Sequence, residues 1–393
     1  MYLRLYLNMK NFEFLVKKSL YAFIIFSIAY FSIYFSFSSE GTSDGGVHRA
    51  IYSIIILACF SLFVVQPRLL NDSIYSFSIV SIMGLIIAIY NYIITNYSED
   101  FFLNIVIGIL TATFLVAFTY NNKTIAIKTF KFFILLNVTA LMYQYINNVI
   151  LGSSEYLHGE LFSFSRQYYS LYEHGFDRVS GYQMEPGSYS TLMVLTILNL
   201  YFLEKKATSW TYLGLISCIL TLSAISIFLC AITLTIINRK FLSSSSGKFK
   251  FIILLLLSFL VFDTIGFTEY LNERFASNAM DYSALYKISN INAIFSRDLF
   301  ELFTGMGLSW IEPYCYNCGH LTGNGGGMYT ISGVGIIGVF LYISIYLICK
   351  DKILAVLIIS LLFISRFSVE YSLFWFFILN AIQSTYTTEE TKI

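Results

Sequence analysis

The sequence predicts an all-α polytopic membrane protein with about twelve transmembrane helices and two large outer loops. Of its 393 residues, 57% are hydrophobic and only 12% are charged, which is about half the charge of a soluble domain. The apolar residues come in long blocks, and a helix needs roughly 20 of them to cross a bilayer. Basic residues are concentrated in alternate loops. We therefore expect residues 1–393 to form a single integral membrane domain.

Twelve apolar segments are predicted to span the bilayer. They cover residues 19–37, 50–66, 74–94, 101–119, 130–151, 188–203, 209–222, 224–238, 250–265, 331–349, 353–366 and 369–384. The apolar stretch 209–238 is divided at Ser223 because it is longer than the roughly 20 residues that a bilayer accommodates. The last pair is divided at Arg366–Ser368 for the same reason.

The distribution of charge predicts the topology. With the N-terminus in the cytoplasm, 17 of the 24 basic residues fall inside and the other 7 outside, while most acidic residues fall outside. This bias follows the positive-inside rule and places both termini in the cytoplasm. Six of the seven outer basic residues are arginines. Arginine suits bidentate contacts with phosphate or carboxylate, so these residues indicate either a phosphate site or pairing with outer carboxylates.

Two outer loops are long, covering residues 152–187 and 266–330, and long loops are usually functional. The first is rich in aromatic rings, which can stack on sugars or form an interfacial belt. Within the second, the spacing predicts a helix over 283–300 that lies on the membrane with its basic groups upward. Its apolar face has Leu285, Ile288, Ile291, Phe295 and Leu299, and its other face has Lys287, Asn290 and Arg297.

The stretch DRVSGYQMEPGSYS, from Asp177 to Ser190, predicts an anion site. Pro186 suits the first turn of a helix, and the next N–H groups are then expected to be open to the outer surface. A helix N-terminus near an arginine, here Arg178, is a natural anion site. Gly181 loosens the intervening segment. Glu185 can orient an arginine, accept a proton or serve as the helix N-cap.

The cysteines do not indicate a metal site. Cys315 and Cys318 form a CxxC followed by His320, but zinc needs more ligands at suitable spacing. A local disulfide and two free thiols are both compatible with this pair. The outer residues Glu40 and Asp44 are a candidate acidic pair for a metal-dependent lipid-phosphate sugar transferase, although their surroundings read as an ordinary loop.

The pattern Arg178-x-x-Gly181-x-x-x-Glu185-Pro186, just ahead of a span, resembles that of the O-antigen polymerase and ligase superfamily. Several other short motifs follow in the same order. They are the split span pair around LTLSAIS, Arg274 early in the second loop, TGMG at 304–307 and GVGIIG at 333–338. The resemblance rests on this order and on the topology, and it covers most of the chain.

The resemblance implies a glycosyltransferase in the bacterial inner membrane with two large periplasmic loops. Donor and acceptor are glycans linked to undecaprenyl diphosphate, and lipid diphosphate leaves when an acceptor hydroxyl attacks the anomeric carbon. No cofactor, metal or nucleic acid is expected, and partners beyond membrane lipid are a chain-length regulator and a flippase. Fixed arginines can stabilise the diphosphate charge. The expected catalytic residues are Arg178, Glu185 and Arg274, and the expected substrate-binding residues are Arg297, Asn324, His320 and Gly181.

One position favours a polymerase over a ligase. Ligases of this superfamily resemble one another in having a histidine eleven residues before a glycine that corresponds to Gly335, and Asn324 occupies that place. A neutral asparagine cannot be a general base, so it is expected to bind sugar or form a turn. His320 lies nearby and keeps the ligase open. A flippase or other transporter is disfavoured because the spans hold almost no ionisable residues away from their ends.

Overall fold

The computed structural model describes residues 20, 22–24, 26–30, 74–95, 99–153, 157, 172–173, 176–183, 185–242, 282–308, 324–365 and 367–386. Their regular elements are helices apart from one antiparallel pair of two-residue strands, β1 (Tyr172–Glu173) and β2 (Phe176–Asp177), and the rest are turns and loops. The helices are α1 Ile74–Thr95, α2 Glu99–Asn121, α3 Lys123–Tyr145, α4 Pro186–Glu204, α5 Ser209–Leu220, α6 Ala224–Leu242, α7 Tyr282–Phe295, α8 Leu299–Thr304, α9 Gly326–Val334, α10 Ile336–Ile348, α11 Lys352–Ile364 and α12 Ser372–Tyr386. A π-helical turn, Ile146–Ile150, extends α3.

The described helices follow the predicted spans closely. Among the described residues, three helices are long and apolar enough to cross a membrane, and they coincide with α1, α2 and α3 with its extension. Helices α5, α6, α10 and α11 are apolar but shorter. The predicted segments 50–66 and 250–265, and most of 19–37, lie outside the described residues. The all-α class is therefore confirmed where the structure describes the chain, and twelve spans stay a prediction.

The predicted span 331–349 is wrong as a single helix. The backbone breaks at Gly335, which ends α9 and begins α10 with a φ of 58° and a ψ of −136°. Glycine alone adopts such a conformation at little cost because it lacks a Cβ atom. The uniformly apolar composition of this stretch gives no sign of the break. Helix α9, which precedes the break, contacts residues 306 and 307 of the second outer loop.

Two helices form the centre of the fold. Helix α12 is buried from Ser372 to Thr385, and α4 is buried along nearly its whole length. They pack on one another, with α2 also against α12, and with α3, α5 and α6 around α4. The buried Asn380 Nδ2 donates a hydrogen bond of 2.7 Å to Asn199 Oδ1 across this central pair. A helix that is buried on all faces lies in the core of a large or membrane-embedded protein.

The outer helices present apolar side chains outward. Ile93 on α1, Leu347 on α10 and Ile353 on α11 are each more than 60% exposed. Large contiguous apolar surfaces are unfavourable in water, whereas lipid chains are as apolar as leucine and solvate them well. The distribution of apolar side chains is therefore compatible with a membrane protein.

Polar contacts tie together the helix ends that the charge distribution predicts as cytoplasmic. Lys131 and Glu204 form an ion pair of 2.7 Å between α3 and α4, and Arg239 on α6 forms one of 3.0 Å with Asp351, the N-cap residue of α11. Lys205 Nζ donates a hydrogen bond to the carbonyl oxygen of Ser384 at 2.6 Å. These pairs are consistent with the alternation of helix directions, and the side of the membrane stays a prediction.

The Trp375 side chain lies where α1, α2 and α12 pack together. A Cβ atom on Gly84 would lie 2.6 Å from its ring, and one on Gly108 would lie 3.2 Å from it. The two glycines thus leave room for the indole between α1 and α2. Its Nε1–H donates to the carbonyl oxygen of Val369 at 2.6 Å, so the buried nitrogen is satisfied.

We expect Trp375→Ala to lower the free energy of unfolding by about 3–5 kcal/mol, because it leaves a large cavity that the neighbouring helices cannot fill. Denaturation of the purified protein in detergent measures this change. Phe340→Ala is the matched control, since Phe340 is 49% exposed on α10, and we expect it to change the free energy by within about 0.5 kcal/mol. Equal losses in the two variants would contradict the central role of Trp375.

Candidate functional site

The segment before α4 is held in one shape by a single side chain. Gln144 on α3 accepts hydrogen bonds at its Oε1 atom from the backbone N–H groups of Ser180, at 2.9 Å, and Gly181, at 2.8 Å. Gln183 N–H closes a turn on the Ser180 carbonyl oxygen at 3.0 Å. The predicted segment is therefore an ordered loop, and it places Arg178 at a fixed distance from the start of α4.

Gly181 is needed where it stands, and it does more than loosen the loop. Its φ is 57°, in the left-handed region that favours glycine. A Cβ atom there would lie 3.3 Å from the backbone nitrogen of Leu141 and 3.5 Å from the ring of Tyr189. Gly181 thus lets the loop touch α3 and α4 at once. This contact gives it a structural role, and its role in substrate binding stays a prediction.

Arg178 lies where the loop enters the protein. Val179 and Ser180 beside it are fully buried, and the Arg178 side chain is half-buried, with its Nε atom inaccessible to solvent. The guanidinium therefore sits at the boundary between the protein interior and its surface. In such a site, a fixed cation acts on an anion more strongly than it does in water.

Helix α4 begins at Pro186, as predicted, with Glu185 as the N-cap residue. Tyr189 N–H donates to the Glu185 carbonyl oxygen at 3.1 Å, but the Glu185 side chain makes no capping hydrogen bond. The interpretation of Glu185 as a capping carboxylate is therefore wrong in its chemistry, although the position is right. Orienting an arginine and accepting a proton stay predictions for this carboxylate.

The first turn of α4 is covered, so the expectation that its N–H groups open to the outer surface is wrong. Gly187 and Ser188 are buried. A Cβ atom on Gly187 would lie 3.1 Å from Ile225, at the start of α6, and 3.7 Å from Ser223 Oγ, in the break between α5 and α6. The break packs on this turn because glycine leaves the space. Ser188 Oγ is buried, and no other described residue forms a hydrogen bond with it.

A cluster of hydroxyl groups, absent from the sequence-based prediction, lies below this turn. Ser190 on α4 hydrogen-bonds Thr221, at 3.2 Å, and Ser226, and Thr221 and Ser226 are 2.9 Å apart. All three are buried. Leu222 beside them has a φ of 50°, which is uncommon for a side chain of this size. The LTLSAIS stretch therefore contains the break between α5 and α6, and its hydroxyl groups also connect these two helices to α4.

The second outer loop contributes a different set of contacts. Asn290 on α7 donates from Nδ2 to Asn324 Oδ1 at 2.8 Å, and Asn324 Nδ2 donates to the Lys287 carbonyl oxygen at 2.8 Å. Asn324 thus uses both its donor and its acceptor to hold the start of α9 against α7. These contacts give Asn324 a structural role between α7 and α9, and sugar binding and turn formation both stay predictions.

Arg297 lies beside a crossing of two glycine-rich segments. Its Nη1 atom donates to the Ser332 carbonyl oxygen at 3.0 Å. Gly307 N–H donates to the Gly333 carbonyl oxygen at 2.8 Å, and a Cβ atom on Gly335 would lie 2.0 Å from the Phe303 carbonyl oxygen. The TGMG and GVGIIG motifs therefore meet backbone to backbone, which no larger residue would permit. Arg297 is half-buried at this junction.

The predicted helix over 283–300 is wrong in two respects. Helix α7 ends at Phe295, and Asp298 starts the short helix α8 by accepting a hydrogen bond from Glu301 N–H at 2.7 Å. The face that carries Asn290 and Arg297 also turns toward the protein rather than upward. Apolar periodicity alone missed the break, whereas aspartate is a known N-cap residue and offered the signal.

The structure thus places the predicted residues in two groups. Arg178, Gly181 and Glu185 lie between α3 and α4, and Arg297 and Asn324 lie where α7 meets α9. Arg274, His320, Cys315, Cys318 and the acidic pair Glu40 and Asp44 lie outside the described residues. Sequence reasoning missed Gln144, and also Asn91, whose side-chain oxygen accepts from Leu308 N–H at 2.7 Å. Neither amide belongs to a sequence motif. Each accepts hydrogen bonds from backbone N–H groups that are far away in the chain.

Within the described ranges, no cluster of three or more histidine, cysteine, aspartate or glutamate side chains could hold a metal ion. The comparisons with known proteins add no further assignment. The sequence matches no family model and no curated protein, and the fold matches no solved structure.

We expect Gln144→Met to loosen the Arg178 loop, because it preserves shape but removes the acceptor of two buried N–H groups. Leaving buried donors unpaired costs about 1–3 kcal/mol each. Hydrogen–deuterium exchange of a peptide covering residues 178–183 should become faster. Thr139→Val on the same helix is the control, since the Thr139 hydroxyl bonds only within α3. Unchanged exchange in Gln144→Met would show that other contacts hold the loop.

Proposed function

We propose that this chain is a lipid-diphosphate-dependent glycosyltransferase. It polymerises undecaprenyl-diphosphate-linked oligosaccharide repeat units into O-antigen or a related surface polysaccharide at the periplasmic face of the bacterial inner membrane. One observation carries the proposal, namely the ordered loop in which Gln144 and Gly181 hold Arg178 beside the start of α4. A preorganised arginine at the edge of the apolar interior is what a leaving diphosphate requires.

The reaction needs charge stabilisation more than covalent chemistry. The bond between the anomeric carbon and the diphosphate oxygen breaks, and a bond from an acceptor hydroxyl oxygen to that carbon forms. The electron pair leaves with the lipid diphosphate, whose growing charge Arg178 stabilises. The hydroxyl proton must go to a base, and the Glu185 carboxylate, which does not cap α4, is our candidate.

The second loop supplies the other arginines of the proposal. Arg297 is fixed by the Ser332 carbonyl oxygen at a junction of two backbones, so it is positioned rather than freely mobile. Arg274 precedes α7 along the same loop. In our proposal, Arg274 assists Arg178 on the diphosphate and Arg297 contacts the glycan or the second lipid headgroup.

The interior of the protein supports an enzyme over a transporter. Among the described residues, no aspartate, glutamate, lysine or arginine is buried. Transporters usually carry ionisable groups at the middle of the membrane, where substrates and coupling ions pass. The polar groups that are buried here are hydroxyls and amides, which bond within a helix or between helices.

The surroundings of Asn324 support a polymerase over a ligase. Its amide oxygen accepts a hydrogen bond from α7 and its amide nitrogen donates one to α7. A neutral amide cannot act as a general base. The ligase alternative would need His320 instead. If His320 is the base, His320→Ala should abolish transfer, and polymer formed by that variant would exclude this role.

We expect Arg178→Lys to reduce polymer formation by about 100-fold or more, because a point charge does not replace a guanidinium fork on a diphosphate. The assay uses purified protein in vesicles with lipid-linked repeat units and follows chain length on a gel. Arg239→Lys is the matched control, since Arg239 pairs with Asp351 at the opposite, cytoplasmic end, and it should retain activity. A well-folded Arg178→Lys variant with near-normal activity would defeat the assignment.

A further inference from the structure

Helices α7 and α8 present a large apolar face that nothing in the described structure covers. Phe295 is 70% exposed, and Leu299 and Phe300 are each 75% exposed. Ile288, Ile291 and Phe303 on the same two helices are also exposed. Isolated exposed apolar residues are ordinary, but six of them on two consecutive helices mark a contact surface. We call these six residues the outer apolar face.

The other side of the same helices belongs to the candidate site. Asn290 and Ile294 are buried, and Asn290 and Arg297 reach Asn324 and the Ser332 carbonyl oxygen. The two sides are therefore chemically distinct. One side carries large apolar groups outward, and the other is fastened to α9. A ligand that covers the outer apolar face would therefore also affect the position of the residues that hold Arg297.

The outer apolar face continues into the surface that the transmembrane helices present to lipid. Helix α8 packs against α10, and the Phe303 carbonyl oxygen lies against Gly335, where α10 begins. The next residues outward on α10, Ile336 and Phe340, are 40% and 49% exposed. Exposed apolar residues of α8 thus lie next to exposed apolar residues at the start of α10, a helix that we place against lipid.

We propose that α7 and α8 lie in the outer leaflet of the bilayer, with the outer apolar face buried among lipid chains. Helices of this kind insert their apolar face about 5–10 Å into the boundary between headgroups and acyl chains. The proposal rests on the membrane placement in the proposed function, but not on glycosyl transfer.

This seating would fix the depth of Arg297. The break between α7 and α8 carries Arg297, and these helices would be held from outside by lipid and from inside by Asn324 and the Ser332 carbonyl oxygen. A guanidinium on the inner side of an interfacial helix lies at the level of lipid headgroups, where the diphosphate of a lipid-linked substrate must also lie. Lys287 and Arg297 are offset by Asp298 and Glu301, so apolar area rather than anionic lipid drives the docking.

The test places a tryptophan on the face and asks which quencher reaches it. Phe300→Trp is made in the full chain, which is reconstituted alone in bilayer discs of phosphatidylcholine. Bromine atoms at shallow positions on the acyl chains should quench the added fluorescence at least about twofold more than they do for Ser296→Trp. Ser296 is the matched control, since it is exposed beside Phe295 but outside the outer apolar face.

Aqueous iodide gives the opposite reading. We expect it to quench Ser296→Trp strongly and Phe300→Trp weakly, with little change when anionic lipid is added. Strong iodide quenching of Phe300→Trp, with no effect of brominated lipid, would overturn the proposal and leave the face to a protein partner. Because the readout is fluorescence without substrate, its outcome is independent of whether the protein transfers sugar.

Discussion

The two hydrogen bonds from the Ser180 and Gly181 N–H groups to Gln144 are the contacts on which the first group of predicted residues, Arg178, Gly181 and Glu185, depends for its position. They tie an irregular segment to a helix that is long and apolar enough to cross the membrane. Backbone groups that leave a helix near the apolar interior must find partners within the protein, and here one amide side chain supplies them. The same contacts fix Arg178 relative to α4. The hydrogen bonds that pair the buried N–H groups therefore also position the guanidinium.

The second group follows the same physical rule with different means. Where α9 gives way to α10, the freed backbone is paired by the TGMG segment, and glycines at both partners allow the chains to touch. Arg297 donates to a carbonyl oxygen at that junction. In both groups an arginine is held beside a backbone break rather than on a regular helix. The hydroxyl cluster under the first turn of α4 provides a third joint of this kind, between α4, α5 and α6.

Much of the helical framework could be predicted from the sequence, and the joints could not. Apolar blocks located α1 to α6 because residues facing lipid and residues in the core are both apolar. The same uniformity hid the break at Gly335, where hydropathy stays high while the backbone changes direction. Pro186 marked the start of α4 correctly because its fixed φ is compatible only with the first turn. Gln144 and Asn91 were not predictable, since their partners are backbone groups far away in the chain.

The central claim is polymerisation of lipid-linked repeat units at the outer face. A gel of surface polysaccharide and of lipid-linked intermediates, from cells in which this gene is deleted, tests it most directly. We predict single repeat units on the lipid anchor and loss of the long ladder, and we expect the wild-type gene to reverse both changes. Long lipid-linked chains beside a bare anchor would contradict it in favour of a ligase. Single units retained at the cytoplasmic face would contradict it in favour of a flippase.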